Sequence, residues 1–211
     1  MKPRLLDLFC GAGGACRGYQ EAGFYVVGVD IKPQPHYVGD EFYQADALEF
    51  CAARGTEYDV IHASPPCQFA SELTPVAFRG RHLNLIPQTR IALAATGQPY
   101  IIENVENGRR HLINPVMLCG SMFGLKVWRH RYFELSFPPR LVPPCDHSGV
   151  PVLISGTRRR DNDRYEFSAQ ACREASGLNW MTRAEMDQAI PPAYTRYIGG
   201  WLWSDVWPDR A

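Results

Sequence analysis

Residues 4–14 read RLLDLFCGAGG, from Arg4 to Gly14. A short apolar run through Phe9 passes directly into glycines, the pattern of a buried strand that ends in a tight turn. Glycines at that place let the backbone turn sharply and come close to a ligand. Outward from this stretch, Gly14 to Ala22 reads as a helix ended by Gly23. Tyr25 to Asp30 (YVVGVD) is a β-branched strand that finishes on an acid, and Glu41 to Asp46 is a weaker strand that does the same. Tyr58 to Ala63 (YDVIHA) is a strand stopped by Ser64-Pro65-Pro66. Pro87 to Ala95 follows as a helix with proline near its start. Tyr100 to Val105 (YIIENV), Tyr132 to Phe137 (YFELSF) and Pro151 to Ser155 read as further strands. The β-α-β-α succession predicts an α/β domain with a mainly parallel sheet.

The segment from Pro138 to about Cys172 is different. Five prolines and the charged run TRRRDNDR mark it as loops around one strand, a small irregular insert. Thr182-Arg-Ala-Glu185 is a capping-box pattern that opens a helix through Ala189. Pro191-Pro192 breaks that helix, and Ala193 to Trp207 reads as a last amphipathic helix carrying Tyr194, Tyr197, Trp201 and Trp203. The expected organisation is a catalytic and cofactor-binding part over 1–137, the insert over 138–172, and C-terminal helices over 173–211 that pack back on the first part.

The chain has 211 residues, 45% apolar and 21% charged, ordinary for one globular domain with a full core. No stretch approaches the roughly 18 apolar residues of a membrane helix, and the N-terminus lacks a signal-peptide pattern. A cytoplasmic protein that touches no membrane is expected, with a monomer favoured. Seven scattered cysteines predict buried thiols rather than a disulfide framework. Cys145-x-His147 is the one close Cys/His pair, without a second pair at zinc-site spacing, so no metal site is expected. A net charge of zero argues against a large nonspecific nucleic-acid surface. Positive charge is nevertheless clustered at Arg109-Arg110, Arg129-His130-Arg131 and Arg158 to Arg160, which fits either solvated surface arginine or a local basic face.

Four groups of residues carry chemistry. The glycine turn after the first strand, with Asp30 ending the second strand and Asp46 the third, fits an adenosine-containing cofactor. Asp30 is placed for ribose hydroxyls and Asp46 for an adenine amino group. Cys16 stands where a dinucleotide fingerprint has its third glycine, so that reading fails. Ser64-Pro65-Pro66-Cys67-Gln68 follows a strand, where open α/β sheets bind ligands. The two prolines stiffen the approach to Cys67, a nucleophile candidate rather than an inert core thiol. Glu103-Asn104-Val105 puts a carboxyl at a buried strand end, where desolvation raises its pKa and lets it donate a hydrogen bond. In Arg129-His130-Arg131, alternate side chains of an extended segment point the same way, so both arginines reach one pocket.

In this order the four patterns resemble those of the cytosine-C5 DNA methyltransferases. DLFCGAGG is similar to the family's cofactor loop, SPPCQ to its nucleophile loop and ENV to its glutamate motif. VWRHR is similar to Q-x-R-x-R with Val127 in place of glutamine. AIPPAYTRYIG is similar to the closing motif but lacks its usual Gly-Asn pair. The resemblance implies a Rossmann-like S-adenosylmethionine-dependent methyltransferase fold and transfer of a methyl group to carbon 5 of a cytosine flipped out of DNA. It implies Cys67, Glu103, Arg129 and Arg131 as catalytic residues, with Glu103 at N3 and the arginines orienting the base. Phe9, Gly11, Gly13, Gly14, Asp30, Ile31, Asp46, Ala47, Ser64 and Pro66 would bind S-adenosylmethionine. Pro65, Gln68, Ser71 and Asn104 would face the substrate. Only about 35 residues, from Pro138 to Cys172, are available for target recognition. That is short for a specific interface of on the order of 1,000 Å², and is similar to trimmed members from bacteriophages and mobile elements. Alternatives are action on RNA, single strands or free nucleotide, transfer of a modified alkyl group, and an idle cofactor- or DNA-binding module.

Overall fold

The computed structural model describes residues 2–66, 83–154, 167–205 and 207. Among them are seven strands: β1 (Arg4–Leu8), β2 (Tyr25–Asp30), β3 (Glu41–Gln44), β4 (Val60–Ala63), β5 (Tyr100–Asn104), β6 (Val116–Leu118) and β7 (Arg131–Leu135). They form one sheet in the order β3-β2-β1-β4-β5-β7-β6. Strands β1 to β5 are parallel, and β7 lies antiparallel between β5 and β6. The helices are α1 (Gly14–Glu21), α2 (Ala47–Arg54), α3 (Ile86–Ala95), α4 (Ala169–Ser176), α5 (Arg183–Gln188) and α6 (Pro192–Asp205).

The apolar runs form central strands because both faces of this sheet are covered. On one face Leu5, Val26, Val60 and Ile101 pack under α1 and α6 with Tyr19, Tyr194, Ile198 and Leu202. On the other, Leu6, Leu8, Val27, Val29, Ile61 and Ile102 pack under α2 and α3 with Cys51, Ile86 and Leu93. Each such aliphatic or aromatic side chain withdrawn from water contributes about 1.5–3 kcal/mol against the entropy of ordering the chain.

Helices α1 and α6 approach so closely at Gly18 that an added Cβ would sit 2.1 Å from both the Pro192 carbonyl oxygen and Thr195 Oγ1. The Thr195 hydroxyl in turn donates to the Ala15 carbonyl at 2.7 Å. A third, smaller apolar cluster joins Ala12, Val127 and Ile154 to Cys172, Ala175, Leu178, Met181 and Met186. The Trp180 indole N–H reaches from it to the Ala12 carbonyl at 2.8 Å, tying the C-terminal segment to the glycine turn.

Differences from the sequence reading are local. Residues 151–154 form no strand; the Val152 N–H donates to the Lys126 carbonyl (2.7 Å) and Ile154 enters the small cluster. Helix α4 spans the boundary expected at Cys172, because Ser168 caps it through the Ala171 N–H. The last helix starts at Pro192. The capping box at Thr182 and Glu185 opens α5 as expected. No helix among the described residues is long and apolar enough to cross a membrane.

Candidate functional site

Register fixes what meets at the carboxyl edge of the sheet. Leu8 pairs with Val29 and with Ala63, and Ala63 pairs with Ile102. The next residues along, Phe9, Asp30, Ser64 and Glu103, therefore lie side by side where the strands end. This edge includes the switch point between β1 and β4, where chain crossovers diverge and open sheets bind ligands. On the face under α1, every second residue changes from apolar Leu5, Val60 and Ile101 to polar Asp7, His62 and Glu103 one pleat further on. A buried polar layer thus underlies the edge.

The glycine turn is pinned from outside. Phe9, Gly11 and Gly13 adopt left-handed φ values of 59°, 50° and 85°. Asp30 Oδ2 accepts the Gly11 N–H at 3.0 Å, and Oδ1 accepts the Lys32 N–H at 3.0 Å. A Cβ at Gly11 would meet nothing within 4 Å, so the turn faces open space. Ile31, just past Asp30, is 66% exposed, an apolar side chain open to solvent. An open turn, a carboxylate with spare lone pairs and a bare aliphatic surface together fit an adenosine moiety. Gly14 is different: its missing Cβ makes room for the backbone of Ile190, 2.5 Å away, so it serves packing. Asp46 is exposed and caps α2, with Oδ1 accepting the N–H groups of Leu48 (2.9 Å) and Glu49 (3.0 Å). Its part in the cap is the reason an acid stands there. Ala47 is buried beneath it.

Glu103 is the centre of the second half. It is 6% exposed, and Arg131 Nε lies 3.0 Å from its Oε1. That contact is an off-axis ion pair, and buried Oε1 has no hydrogen-bond donor among the described residues. Burial pushes the Glu103 pKa up, against the opposing effects of Arg131, the Ser64 hydroxyl and Arg129. Beside it stands His62, whose Nδ1 is 3.0 Å from the Tyr19 hydroxyl and whose Nε2 is 3.0 Å from Ser64 Oγ. Burial lowers His62 to about 3, so the ring is neutral. Tyr19, His62 and Ser64 thus form a chain of hydrogen-bond partners that runs from α1 to the strand end beside Glu103. This relay was missed by the sequence reading; its signal is a histidine and a serine two apart at the end of an apolar strand.

Two expected site residues make structural contacts. Asn104 is fully buried; its Nδ2 donates to the Pro65 carbonyl at 3.0 Å and its Oδ1 accepts the Val105 N–H at 3.1 Å. It holds the Ser64-Pro65-Pro66 segment from below, and Pro65 is buried with it while Pro66 is exposed. Arg129 directs Nη1 to the Met186 carbonyl at 2.9 Å and Nη2 to the Asp187 carbonyl, capping the end of α5. Withdrawal from water, with Arg131 adjacent, lowers its pKa to about 9. Of the arginine pair, Arg131 alone reaches Glu103 as an ion pair among the described residues. Cys67, Gln68 and Ser71, and with them Arg158 to Arg160, lie outside the described residues.

The sequence matches no protein-family model and no curated protein. Solved structures do resemble it. The methyltransferase EhMeth of Entamoeba histolytica is 12% identical, with 98% of this chain and 99% of that one covered and a TM-score of 0.63. A putative DNA modification methyltransferase encoded within an E. coli prophage is 20% identical, over 77% of this chain and 59% of that one, with a TM-score of 0.46. A mutant DNMT2 of Spodoptera frugiperda is 19% identical, over 77% and 61%, with a TM-score of 0.47. The chain thus spans about three fifths of the length of the prophage and insect proteins. Strand order, the reversed β7 and the likeness to EhMeth establish the fold: a Rossmann-like S-adenosylmethionine-dependent methyltransferase fold with a mostly parallel seven-stranded sheet.

Proposed function

We propose that this protein methylates carbon 5 of cytosine in DNA, using S-adenosylmethionine and a covalent bond through Cys67. The observation that carries the reading is Glu103. It is a buried carboxyl with a raised pKa and an oxygen without a hydrogen-bond donor among the described residues, paired to Arg131 and adjacent in register to the strand that leads into Cys67. Phe9, Gly11, Gly13, Asp30 and Ile31 would hold the cofactor, which supplies a methyl group on a sulfonium.

The chain's own residues do the rest. The Cys67 thiolate bonds to carbon 6 of the ring, which makes carbon 5 nucleophilic. Protonated Glu103 donates to N3 and takes up the charge that develops there, and Arg131 keeps its carboxyl in place. Asn104, Pro65 and Pro66 stiffen the approach of the nucleophile. After carbon 5 accepts the methyl group it loses its proton, and the sulfur–carbon 6 bond breaks to restore both the ring and the thiolate. A cytosine inside a duplex must be extruded to reach such an edge. Exposed Arg109 and Arg110, on the turn that follows β5, are placed to meet phosphate.

The test is an oligonucleotide containing 5-fluorocytosine, whose carbon 5 has no proton to lose and so blocks the release step. With S-adenosylmethionine present, a stable protein–DNA adduct is expected, mapped by peptide mass spectrometry to Cys67. An adduct on another cysteine, or none with DNA while a fluorinated RNA reacts, would refute the reading. On the cofactor side, Asp30→Ala is expected to weaken S-adenosylmethionine binding by more than about tenfold, since a ribose contact and the anchor of Gly11 go together. Calorimetry that returned an unchanged Kd would remove Asp30 from the site.

A further inference from the structure

Strands β6 and β7 pair antiparallel with Leu118 opposite Arg131, so the next residues out, Cys119 and His130, face each other where the ladder ends. Over that end folds the long loop between β7 and α4, bringing Cys145 and His147. The ligand atoms of these four side chains all lie within 4.8 Å of one another. Cys119 Sγ is 3.3 Å from His147 Nε2, Cys145 Sγ is 3.5 Å from His130 Nε2, and Cys145 Sγ is 2.8 Å from His147 Nε2. A tetrahedral zinc with bonds of about 2.3 Å to sulfur and about 2.0–2.1 Å to nitrogen sets sulfur and nitrogen about 3.5 Å apart. Two of the three distances already have that value within a few tenths of an ångström, and the third opens by less than one.

We propose that Cys119, His130, Cys145 and His147 form a structural zinc site that clamps the 138–150 loop to the end of the β6–β7 pair. Two thiolates and two imidazoles are a donor set that favours zinc over calcium or magnesium. Four protein ligands close the coordination sphere, so the ion holds structure and leaves no position for substrate. The surroundings suit it. Ser121 Oγ lies 3.3 Å from the Cys119 sulfur and 3.6 Å from the Cys145 sulfur, and accepts the Asp146 N–H at 3.2 Å, which orients the ligand loop. The Trp128 ring stacks on His147 at 4.3 Å between centroids. Residues 138–150 contain no regular element; Val142 packs on the main core, the Leu141 carbonyl accepts the Tyr197 hydroxyl at 2.9 Å, and the clamp would add a further tie. A disulfide between the two cysteines would give the two imidazoles no reason to converge on the same point. The site also bears on the arginine motif, because His130 is its middle residue. The sheet side of the motif is thereby fixed at a point between Arg129 and Arg131.

The inference does not depend on the reaction proposed above, and its test does not use activity. The full chain, purified without a histidine tag under reducing conditions, is expected to carry one zinc per chain by elemental mass spectrometry. Cobalt exchanged into it is expected to show tetrahedral d–d bands and a thiolate charge-transfer band. Cys145→Ser and His147→Ala should each lower zinc content tenfold or more, and Cys51→Ser, at a buried thiol of another cluster, should leave it unchanged. His147 is exposed, so its variant decides the matter should Cys145→Ser fail to fold. Zinc retained by the His147 variant would overturn the site. So would a wild-type chain that stays metal-free after dialysis against zinc, whether its thiols are reduced or its mass is lower by the two hydrogens of a disulfide.

Discussion

Glu103→Gln is expected to lower methyl transfer to cytosine by about 10²–10⁴-fold, the usual range for a positioned proton donor, with cofactor binding unchanged. The side chains have nearly the same size, so the substitution changes the chemistry of a buried position and not its volume. Glutamine can still donate an N–H to N3, so binding of the base survives. It can neither share a proton with N3 nor form the ion pair that holds Arg131 3.0 Å away. Transfer of a labelled methyl group measures the loss, and calorimetry with S-adenosylmethionine checks the binding side. Activity within a few-fold of wild type would place the reacting ring elsewhere. The same variant has a pH signature. The raised Glu103 pKa gives stability that is fully present below the ordinary value of 4.5 and is lost as pH rises through the folded value. Across that window wild-type stability falls with rising pH, and glutamine, which does not titrate, removes the contribution.

Gly18→Ala is expected to destabilise the protein by about 3 kcal/mol, the upper part of the range for an overpacked contact. The new methyl would lie 2.1 Å from the Pro192 carbonyl oxygen and from Thr195 Oγ1, and 2.7 Å from the Arg196 nitrogen. Two of those atoms are backbone, so no rotamer change relieves the overlap and α1 must move away from α6. The movement also strains the bond from Thr195 to Ala15. Gly200→Ala, at an exposed position of α6, is the control: nothing lies within 4 Å of its added Cβ, and alanine favours a helix by about 1 kcal/mol. Urea denaturation should move the two midpoints in opposite directions. An unshifted midpoint for Gly18→Ala would mean that the helices are not in close contact there.

Much of the architecture could be read from the chain because central parallel strands are apolar on both faces. RLLDL, YVVGVD and YIIEN are such strands, and each runs into the glycine turn, an acid or a motif residue. What escaped lacks that signature. Strand β6 has three residues on the edge of the sheet, and α2 was hidden because Asp46 reads equally as the end of a strand or the cap of a helix. Within the site, the turn, Asp30 and Glu103 were legible because strand ends face one edge. The work of Asn104 and Arg129 was not, because their partners, Pro65 and Met186, are 39 and 57 residues away and are backbone carbonyls, which have no letter in a sequence. Cys119 and His130 escaped for a related reason. Eleven positions separate them along the chain, and only antiparallel pairing brings them together.

The contact between α1 and α6 has a consequence for how the molecule is made. Residues 14–21 are translated well before their cover, residues 192–205, the last of the described helices. At about 5–20 residues per second, the intervening stretch takes on the order of ten seconds or more. Throughout that interval the face bearing Leu5, Val26, Val60 and Ile101 lacks α6. Apolar surface left uncovered in this way makes a nascent chain prone to aggregate.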